Sequence, residues 1–276
     1  MAQALAEGLD PALRKRVISA ALLAALVICD VLLGGWFFAA LVIAACIVMA
    51  DEWMGLGPNL RRDMRMLVMF LFVAKAAGVI LATASGHPDV AVLWLAVAVV
   101  LSAGAAAAVG HGSPDHVAGG LLYVAIPALA LIWLRNQPDV GLPAVLWLFM
   151  VVWATDTFAY VFGRWLGGPK LAPQISPSKT WSGLIGGMAG AVAVGTVFAW
   201  FLQGRLVDAA LAAMVLAVVA QAGDLFESFM KRRAGVKDSG SIIPGHGGIL
   251  DRVDGLMFAA PVYAIFVLLT GKGSIP

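Results

Sequence analysis

Charged residues are scarce in this sequence. Asp, Glu, Lys and Arg make up 12% of its 276 residues, about half the share found in a typical soluble domain. This scarcity excludes an ordinary soluble globular protein. Hydrophobic residues make up 62% of the chain and include several runs that approach the roughly 20 residues needed to cross a bilayer as a helix. The composition therefore predicts an all-α polytopic membrane protein embedded in a lipid bilayer.

Cysteine and histidine are also rare. Cys29 and Cys46 both fall inside apolar runs, which predicts buried thiols and no disulfide. Three of the four histidines, at positions 87, 111 and 116, stand between apolar runs and are interpreted as solvated loop residues. The net charge of +2 is small and the basic residues occupy short loops, so no nucleic-acid partner is expected.

The apolar runs predict about nine transmembrane helices, and Gly34-Gly35 is the natural break between the first two. We further divide this single membrane unit into N-terminal helices (residues 1–135) and a C-terminal catalytic region (residues 136–276). The nine predicted spans lie near residues 17–33, 36–52, 66–84, 90–109, 118–135, 142–163, 182–203, 207–229 and 255–271.

The distribution of basic residues predicts the orientation of these spans. With the N-terminus in the cytoplasm, the outside loops hold only Arg135, Arg205 and Lys272, and nearly all other Lys and Arg residues fall inside. The polar stretch 223–255 and the loop 164–179 then share the cytoplasmic face. We therefore expect a multi-pass protein of a bacterial-type inner membrane with its active site on the cytoplasmic side.

The stretch 223–255 contains a dense group of carboxylates beside apolar helices, where charge is costly and usually functional. Asp251 and Asp254 are three positions apart and share one face of a helix, and Asp224 and Glu227 have the same spacing. Such oxygen ligands suit Mg²⁺. The alternative is a structural ion-pair network of these carboxylates with Lys231, Arg232 and Arg252.

Glycines precede the last predicted helix in the segment Pro244-Gly245-His246-Gly247-Gly248. Without Cβ atoms, their backbone N–H groups can approach a ligand closely, and a helix N-terminus adds partial positive charge. The segment predicts an anion site that includes Gly247 and Gly248. His246 either contacts a phosphate or caps the loop.

A second polar group follows the sixth predicted span. Asp156 and Tyr160 are four positions apart and precede a loop containing Ser176, Lys179 and Thr180. A lysine among hydroxyls in front of a helix predicts a phosphate cradle. The alternative is a basic loop that contacts anionic lipid headgroups.

From Ser228 onward the pattern S-F-M-K-R-R-A-G-V-K-D-S-G-S-I-I-P-G-H-G-G-I-L-D-R-V-D resembles the signature of the phosphatidate cytidylyltransferases (CDP-diacylglycerol synthases). The region 156–183, with its S-P-S-K-T-W segment, resembles a second motif of that family. Ser178 and Ser182 depart from the residue types usual there and receive no catalytic role. The resemblance covers the C-terminal half, whereas the N-terminal half is similar only in consisting of apolar spans.

The resemblance implies that the protein transfers a cytidylyl group from CTP to phosphatidate, with CDP-diacylglycerol and pyrophosphate as products. It implies Mg²⁺ as cofactor and leaves open a second metal, a monovalent cation and a homodimer. Asp224, Asp251 and Asp254 would be the metal-binding and catalytic carboxylates, and Lys179 a catalytic cation. The other substrate-binding candidates would be Asp156, Tyr160, Ser176, Thr180, Lys231, Arg232, Lys237, His246, Gly247, Gly248 and Arg252.

Other classes of membrane protein fit the sequence less well. Membrane prenyltransferases and CDP-alcohol phosphotransferases use compact D-x-x-x-D or D-D-x-x-D arrangements, which the metal cluster predicted here lacks. A CTP-dependent lipid kinase remains an alternative. A transporter would use intramembrane charges such as Asp30 and Lys75 to line a pathway, yet most charges concentrate at one face.

Overall fold

The computed structural model describes residues 11–57, 62–109, 114–243 and 247–270. This part of the chain forms helices and one short β-hairpin. The helices are α1 (Pro11–Leu33), α2 (Gly35–Gly55), α3 (Arg62–Ala84), α4 (Pro88–Val109), α5 (Pro114–Arg135), α6 (Gly141–Trp165), α7 (Trp181–Phe201), α8 (Leu206–Arg233) and α9 (Leu250–Thr270). Strands β1 (Lys170–Ala172) and β2 (Ser176–Thr180) pair antiparallel between α6 and α7.

The predicted helices are present, and their breaks follow local chemistry. Gly34 and Gly35 have φ angles of 63° and 53°, which L-residues with side chains rarely adopt, so the chain turns there between α1 and α2. Proline occupies the first position of α1, α4 and α5, where its missing N–H costs no intrahelical bond. Helix α9 begins at Leu250, as predicted for the helix that follows the glycine segment, and extends beyond the membrane span predicted from 255. Asp251 and Asp254 therefore lie in its first turns.

Seven helices in the described part, all except α1 and α3, are long and apolar enough to cross a membrane. In those two the apolar stretch is shorter, at Ala21–Leu33 and Met69–Ala84. The protein is therefore a multi-pass helical membrane protein, and the count of nine crossings stays a prediction.

Helices α6 and α7 pack closely because α7 presents glycines to its neighbour. A Cβ atom on Gly187 would lie 2.9 Å from the carbonyl oxygen of Thr155, and one on Gly190 would lie 2.3 Å from the Phe158 ring. Small residues at such a contact allow two membrane helices to approach at backbone distance. This contact fixes the end of α6 against the start of α7, where polar side chains collect.

The N-terminal helices pack against the C-terminal ones through α5, which contacts α2, α3 and α9. Trp53 at the end of α2 stacks on His116 with ring centroids 5.0 Å apart, and its Nε1 donates to the His116 carbonyl at 2.9 Å. The interpretation of His116 as a solvated loop residue is therefore wrong, since it lies in α5 and is half-buried. The division of the chain at residue 135 stays a prediction.

Two further predictions about single residues have different outcomes. Cys46 is buried as predicted, but Cys29 is exposed on α1 and the prediction of a buried thiol there is wrong.

Lys75, within α3, donates a hydrogen bond to Ser102 Oγ at 2.9 Å. A hydroxyl on the neighbouring helix α4 thus holds this intramembrane cation.

Candidate active site

A cavity of about 750 Å³ lies where the C-terminal ends of α6 and α8 meet the N-terminal ends of α7 and α9. The β-hairpin borders it through Lys170, Ser178 and Lys179. Eleven of the predicted site residues line it: Asp156, Tyr160, Lys179, Thr180, Asp224, Lys231, Arg232, Lys237, Asp251, Arg252 and Asp254. The two motif regions, separated along the chain, therefore form one site.

Lys179 connects the hairpin to α8. Its Nζ forms an ion pair with Asp224 and donates to Gln221 Oε1 at 3.3 Å. The Lys179 side chain is only 14% exposed, so its ammonium is held at the cavity wall. Gln221 is a lining residue that sequence reasoning missed, because a single glutamine within a helix gives no motif signal.

The hairpin is fixed to the start of α7 by a helix cap. The Thr180 hydroxyl accepts the N–H of Gly183 at 3.1 Å, and Thr180 pairs with Lys170 across the hairpin. N-terminal caps of this kind contribute on the order of 1 kcal/mol. Ser176 does not line the cavity; it is buried, and its hydroxyl lies 3.4 Å from that of Ser178. The structure thus gives Ser176 a place within the hairpin and not at the ligand surface.

Lys231 bridges two buried carboxylates. Its Nζ lies 2.9 Å from Glu227 Oε2 and 2.6 Å from Asp251 Oδ1, and the three side chains are 13%, 1% and 4% exposed. Buried charges persist only when they are paired in this way. Part of the carboxylate cluster is therefore the ion-pair network that the sequence left as an alternative.

Asp251 has further partners besides Lys231. Its Oδ2 accepts the Gly248 N–H at 2.8 Å and the Ser239 N–H and hydroxyl at 2.9 Å each. Both oxygens are thus engaged by the protein itself. These contacts give Asp251 a structural role at the start of α9, and metal binding by Asp251 stays a prediction.

Backbone N–H groups at the end of the glycine segment contact two carboxylates of the protein. The N–H groups of Ile249 and Leu250 donate to Glu52 at 2.8 Å each, and that of Gly248 donates to Asp251. Two of the protein's own carboxylates therefore accept these N–H groups, and neither Gly247 nor Gly248 lines the cavity. The anion site at this helix start stays a prediction. His246 lies outside the described residues.

Gly248 is needed because two side chains crowd its α-carbon. A Cβ atom there would lie 2.3 Å from Ser239 Oγ and 2.5 Å from Glu52 Oε1. We predict that Gly248→Ala lowers the free energy of unfolding by about 1–3 kcal/mol, the usual range for overpacking. The measurement is thermal unfolding in detergent. Gly104→Ala is the matched control, since a Cβ at Gly104 meets nothing within 4 Å, and equal stability of both variants would contradict the prediction.

The remaining carboxylates surround the cavity more openly. Asp254 lies within electrostatic range of Asp156, Asp224 and Glu227, and only Asp224 and Glu227 of these four have an ion-pair partner among the described residues. Within the same residues, no group of three or more His, Cys, Asp or Glu side chains could hold a metal ion alone. A metal ion bound here would therefore need oxygen ligands from a substrate as well, as Mg²⁺ commonly does.

Cations outnumber carboxylates at this cavity. Seven lining residues are Lys or Arg (Arg164, Lys170, Lys179, Lys231, Arg232, Lys237 and Arg252) and five are Asp (Asp156, Asp224, Asp238, Asp251 and Asp254). In the described part of the chain, only Lys179 and Lys231 of these seven are engaged in ion pairs. The other five leave their charge available to an anionic ligand.

Glu52 is another residue that sequence reasoning missed. It lies at the C-terminal end of α2, is 6% exposed and reaches α9 across the chain. A signal was present, because a carboxylate opposes the negative end of its own helix and therefore needs another partner. Sequence distance hid that partner.

Fold and site together define a multi-pass helical membrane protein with a polar cavity suited to phosphate groups. The model of the cytidylyltransferase family matches residues 14–270. The chain is also 48% identical over 173 residues to the phosphatidate cytidylyltransferase of Brucella suis. This alignment covers 60% of this chain and 61% of that protein. The phosphatidate cytidylyltransferase of Rickettsia bellii is 41% identical over 160 residues, and the alignment covers 55% of this chain and 69% of that protein. The one from Synechocystis is 47% identical over 137 residues, and the alignment covers 49% of this chain and 46% of that protein.

The chain belongs to the cytidylyltransferase family. Its aligned part spans about three fifths of the Brucella suis relative.

Proposed function

We propose that this protein is a phosphatidate cytidylyltransferase that converts CTP and phosphatidate into CDP-diacylglycerol and pyrophosphate for phospholipid synthesis. The observation that carries the proposal is the cavity itself, where five cations without an ion-pair partner among the described residues lie with Asp156, Asp224 and Asp254. Both substrates are phosphate esters, and the cations offset their charge. The names of the relatives favour the same reaction.

The position of the cavity suits a lipid substrate. Tyr160 on its wall is 65% exposed, and Trp165 and Trp181 at the same ends of α6 and α7 are 76% and 51% exposed. Aromatic side chains of this kind concentrate at the headgroup level of a bilayer. Phosphatidate can therefore reach the cavity from the bilayer plane, and the basic residues at this end favour the cytoplasmic side, where CTP is available.

The chemistry requires positioning more than proton transfer. A phosphate oxygen of phosphatidate is ionised at neutral pH and forms a bond to the α-phosphorus of CTP, while the bond from that phosphorus to the β-phosphate oxygen breaks. Pyrophosphate leaves with the electron pair. Lys179, Arg232 and Lys237 are placed to stabilise the charge that develops on phosphate oxygens, the main contribution to catalysis in such reactions. Arg164, which donates to the Tyr160 hydroxyl at 2.8 Å, would bind the lipid phosphate.

A divalent metal fits this donor set. Asp224 and Asp254, with Asp156 beside them, offer hard oxygen ligands to Mg²⁺. When bound, the metal would neutralise phosphate oxygens of the nucleotide. Asp224 would then exchange part of its contact with Lys179, and Asp254 would gain a partner for its charge.

The test is product formation by purified protein in detergent with CTP, phosphatidate and Mg²⁺. We expect pyrophosphate and CDP-diacylglycerol in equal amounts, and neither when any one component is omitted. Diacylglycerol replaces phosphatidate in a parallel reaction. Phosphatidate and CDP formed from diacylglycerol would identify a CTP-dependent lipid kinase instead, and no turnover in either reaction would refute the proposal.

A further inference from the structure

Glu52 is a charged side chain buried far from the motifs in sequence. It is 6% exposed, and charged residues are rarely buried unless they are paired. In the described part of the chain Glu52 forms no ion pair. Its burial must therefore be offset by hydrogen bonds from uncharged donors.

Those donors belong to the start of α9 and to the segment before it. Oε1 accepts the Ile249 N–H and Oε2 accepts the Leu250 N–H, both at 2.8 Å. The first N–H groups of a helix have no intrahelical partner, and they carry partial positive charge. A carboxylate that accepts two of them through separate oxygens fixes both the position and the rotation of the helix start.

Ser239 and the neighbouring glycines extend this contact. The Ser239 hydroxyl lies 3.3 Å from Glu52 Oε2 and 2.9 Å from Asp251 Oδ2, so it stands between the two carboxylates. A Cβ atom on Gly240 or Gly248 would lie 2.8 Å or 2.5 Å from Glu52 Oε1. The segment is thus shaped around the Glu52 carboxylate.

We infer that Glu52 is a positioning residue for the site: by holding the first turn of α9 it sets the place of Arg252 and Asp254 in the cavity. Both side chains project from the turn that begins at Leu250. A shift of this turn by about 1 Å displaces a carboxylate relative to the reacting phosphates, and misplacement of that size can cost about 10²-fold in rate. Helix α2 therefore contributes to the site as well as crossing the membrane.

The decisive variant is Glu52→Gln, which keeps the shape but presents one acceptor and one donor where two N–H groups need acceptors. Amide hydrogen exchange is measured on a peptide covering 247–258. We expect faster exchange in this variant and in Glu52→Ala, because at least one of the two N–H groups loses its acceptor. Arg135→Gln is the matched control, since it removes an interhelical bond from Arg135 to the Val31 carbonyl at the other end of α5 and leaves this peptide protected.

The kinetic arm rests on the proposed function. In Glu52→Gln we expect kcat to fall by about 10- to 100-fold with the KM for phosphatidate nearly unchanged, and the Mg²⁺ concentration for half-maximal rate to rise several-fold. A merely destabilised protein, as in Arg135→Gln, keeps the Mg²⁺ dependence of the wild type. Unchanged exchange in Glu52→Gln, or faster exchange with wild-type kcat and Mg²⁺ dependence, overturns the inference. A wild type without cytidylyl transfer refutes the proposed function alone, and the exchange result then decides whether Glu52 holds the helix.

Discussion

Asp254→Asn is expected to lower kcat for cytidylyl transfer by about 10²–10³-fold, the usual loss when one charge-stabilising group is removed, without loss of thermal stability. The reason is the crowding of negative charge around Asp254, which lies within range of Asp156, Asp224 and Glu227. Asparagine keeps the shape and can still accept the Gly255 N–H that Asp254 accepts at 2.7 Å. Removing one of several like charges relieves repulsion in metal-free protein, so the melting temperature there does not fall.

Asp251→Asn is the matched comparison, because it makes the same change three residues earlier. Asp251 accepts from Lys231, Ser239 and Gly248, and an amide nitrogen must face one of these donors. We expect this variant to lose on the order of 3 kcal/mol of stability, as when one partner of a buried ion pair is removed. Kinetics and melting curves of both proteins are measured with and without Mg²⁺. Equal destabilisation of the two variants, or full activity of Asp254→Asn, would contradict a structural role for Asp251 and a catalytic role for Asp254.

Much of the fold could be predicted from the sequence, because a membrane helix can be recognised from its apolar composition. An apolar run of sufficient length must form a helix in lipid to satisfy its backbone groups. The Gly34-Gly35 break was predicted from the sequence alone, and so was the span near 207–229, which the structure shows as the helix Leu206–Arg233. The start of α9 near Leu250 was also predicted, from the glycine segment before it. Its first turns carry Asp251, Arg252 and Asp254, so the apolar span itself was predicted only from 255.

The sequence predicted a set of site residues, but it did not predict which of them stabilise the structure and which face a ligand. Spacing placed Asp251 and Asp254 on one face of a helix, and it could not tell that Asp251 faces Lys231 and Ser239 while Asp254 faces the cavity. Glu52 was missed for the same reason. Its partners Ile249 and Leu250 are 197 and 198 residues away in the chain, and no local pattern reports a contact at that distance.

The cavity thus contains two kinds of lysine. Lys231 is enclosed between Glu227 and Asp251, whereas Lys237 is exposed and without an ion-pair partner among the described residues. A buried, doubly paired cation contributes to the structure first, because breaking its contacts would leave carboxylates uncompensated. An exposed, unpaired cation can exchange water for phosphate. The same residue type at one site therefore serves the fold in one case and substrate binding in the other.

Lys231→Met should consequently be the most destabilising single change at the site. It leaves Glu227, 1% exposed, and Asp251, 4% exposed, facing each other without a cation. Removing one partner of a buried ionic network costs about 3–5 kcal/mol, which corresponds to a fall in melting temperature of roughly 10 °C for a chain of this size. The measurement is thermal unfolding of the purified variant in detergent. Arg232→Met is the adjacent control, because that exposed side chain donates to two backbone carbonyls and has no ion-pair partner among the described residues. Its melting temperature should stay near that of the wild type.

A double variant separates charge balance from loss of the lysine itself. In Lys231→Met with Glu227→Gln, one buried carboxylate becomes neutral, and Asp251 keeps the Ser239 and Gly248 donors to its other oxygen. We expect the double variant to recover at least half of the stability that Lys231→Met loses, since replacing a buried ion pair by neutral groups is often tolerated. If the double variant is no more stable than Lys231→Met, the loss comes from packing of the lysine stem and not from the buried carboxylates. If Lys231→Met alone melts with the wild type, the bridge between α8 and α9 does not stabilise the site.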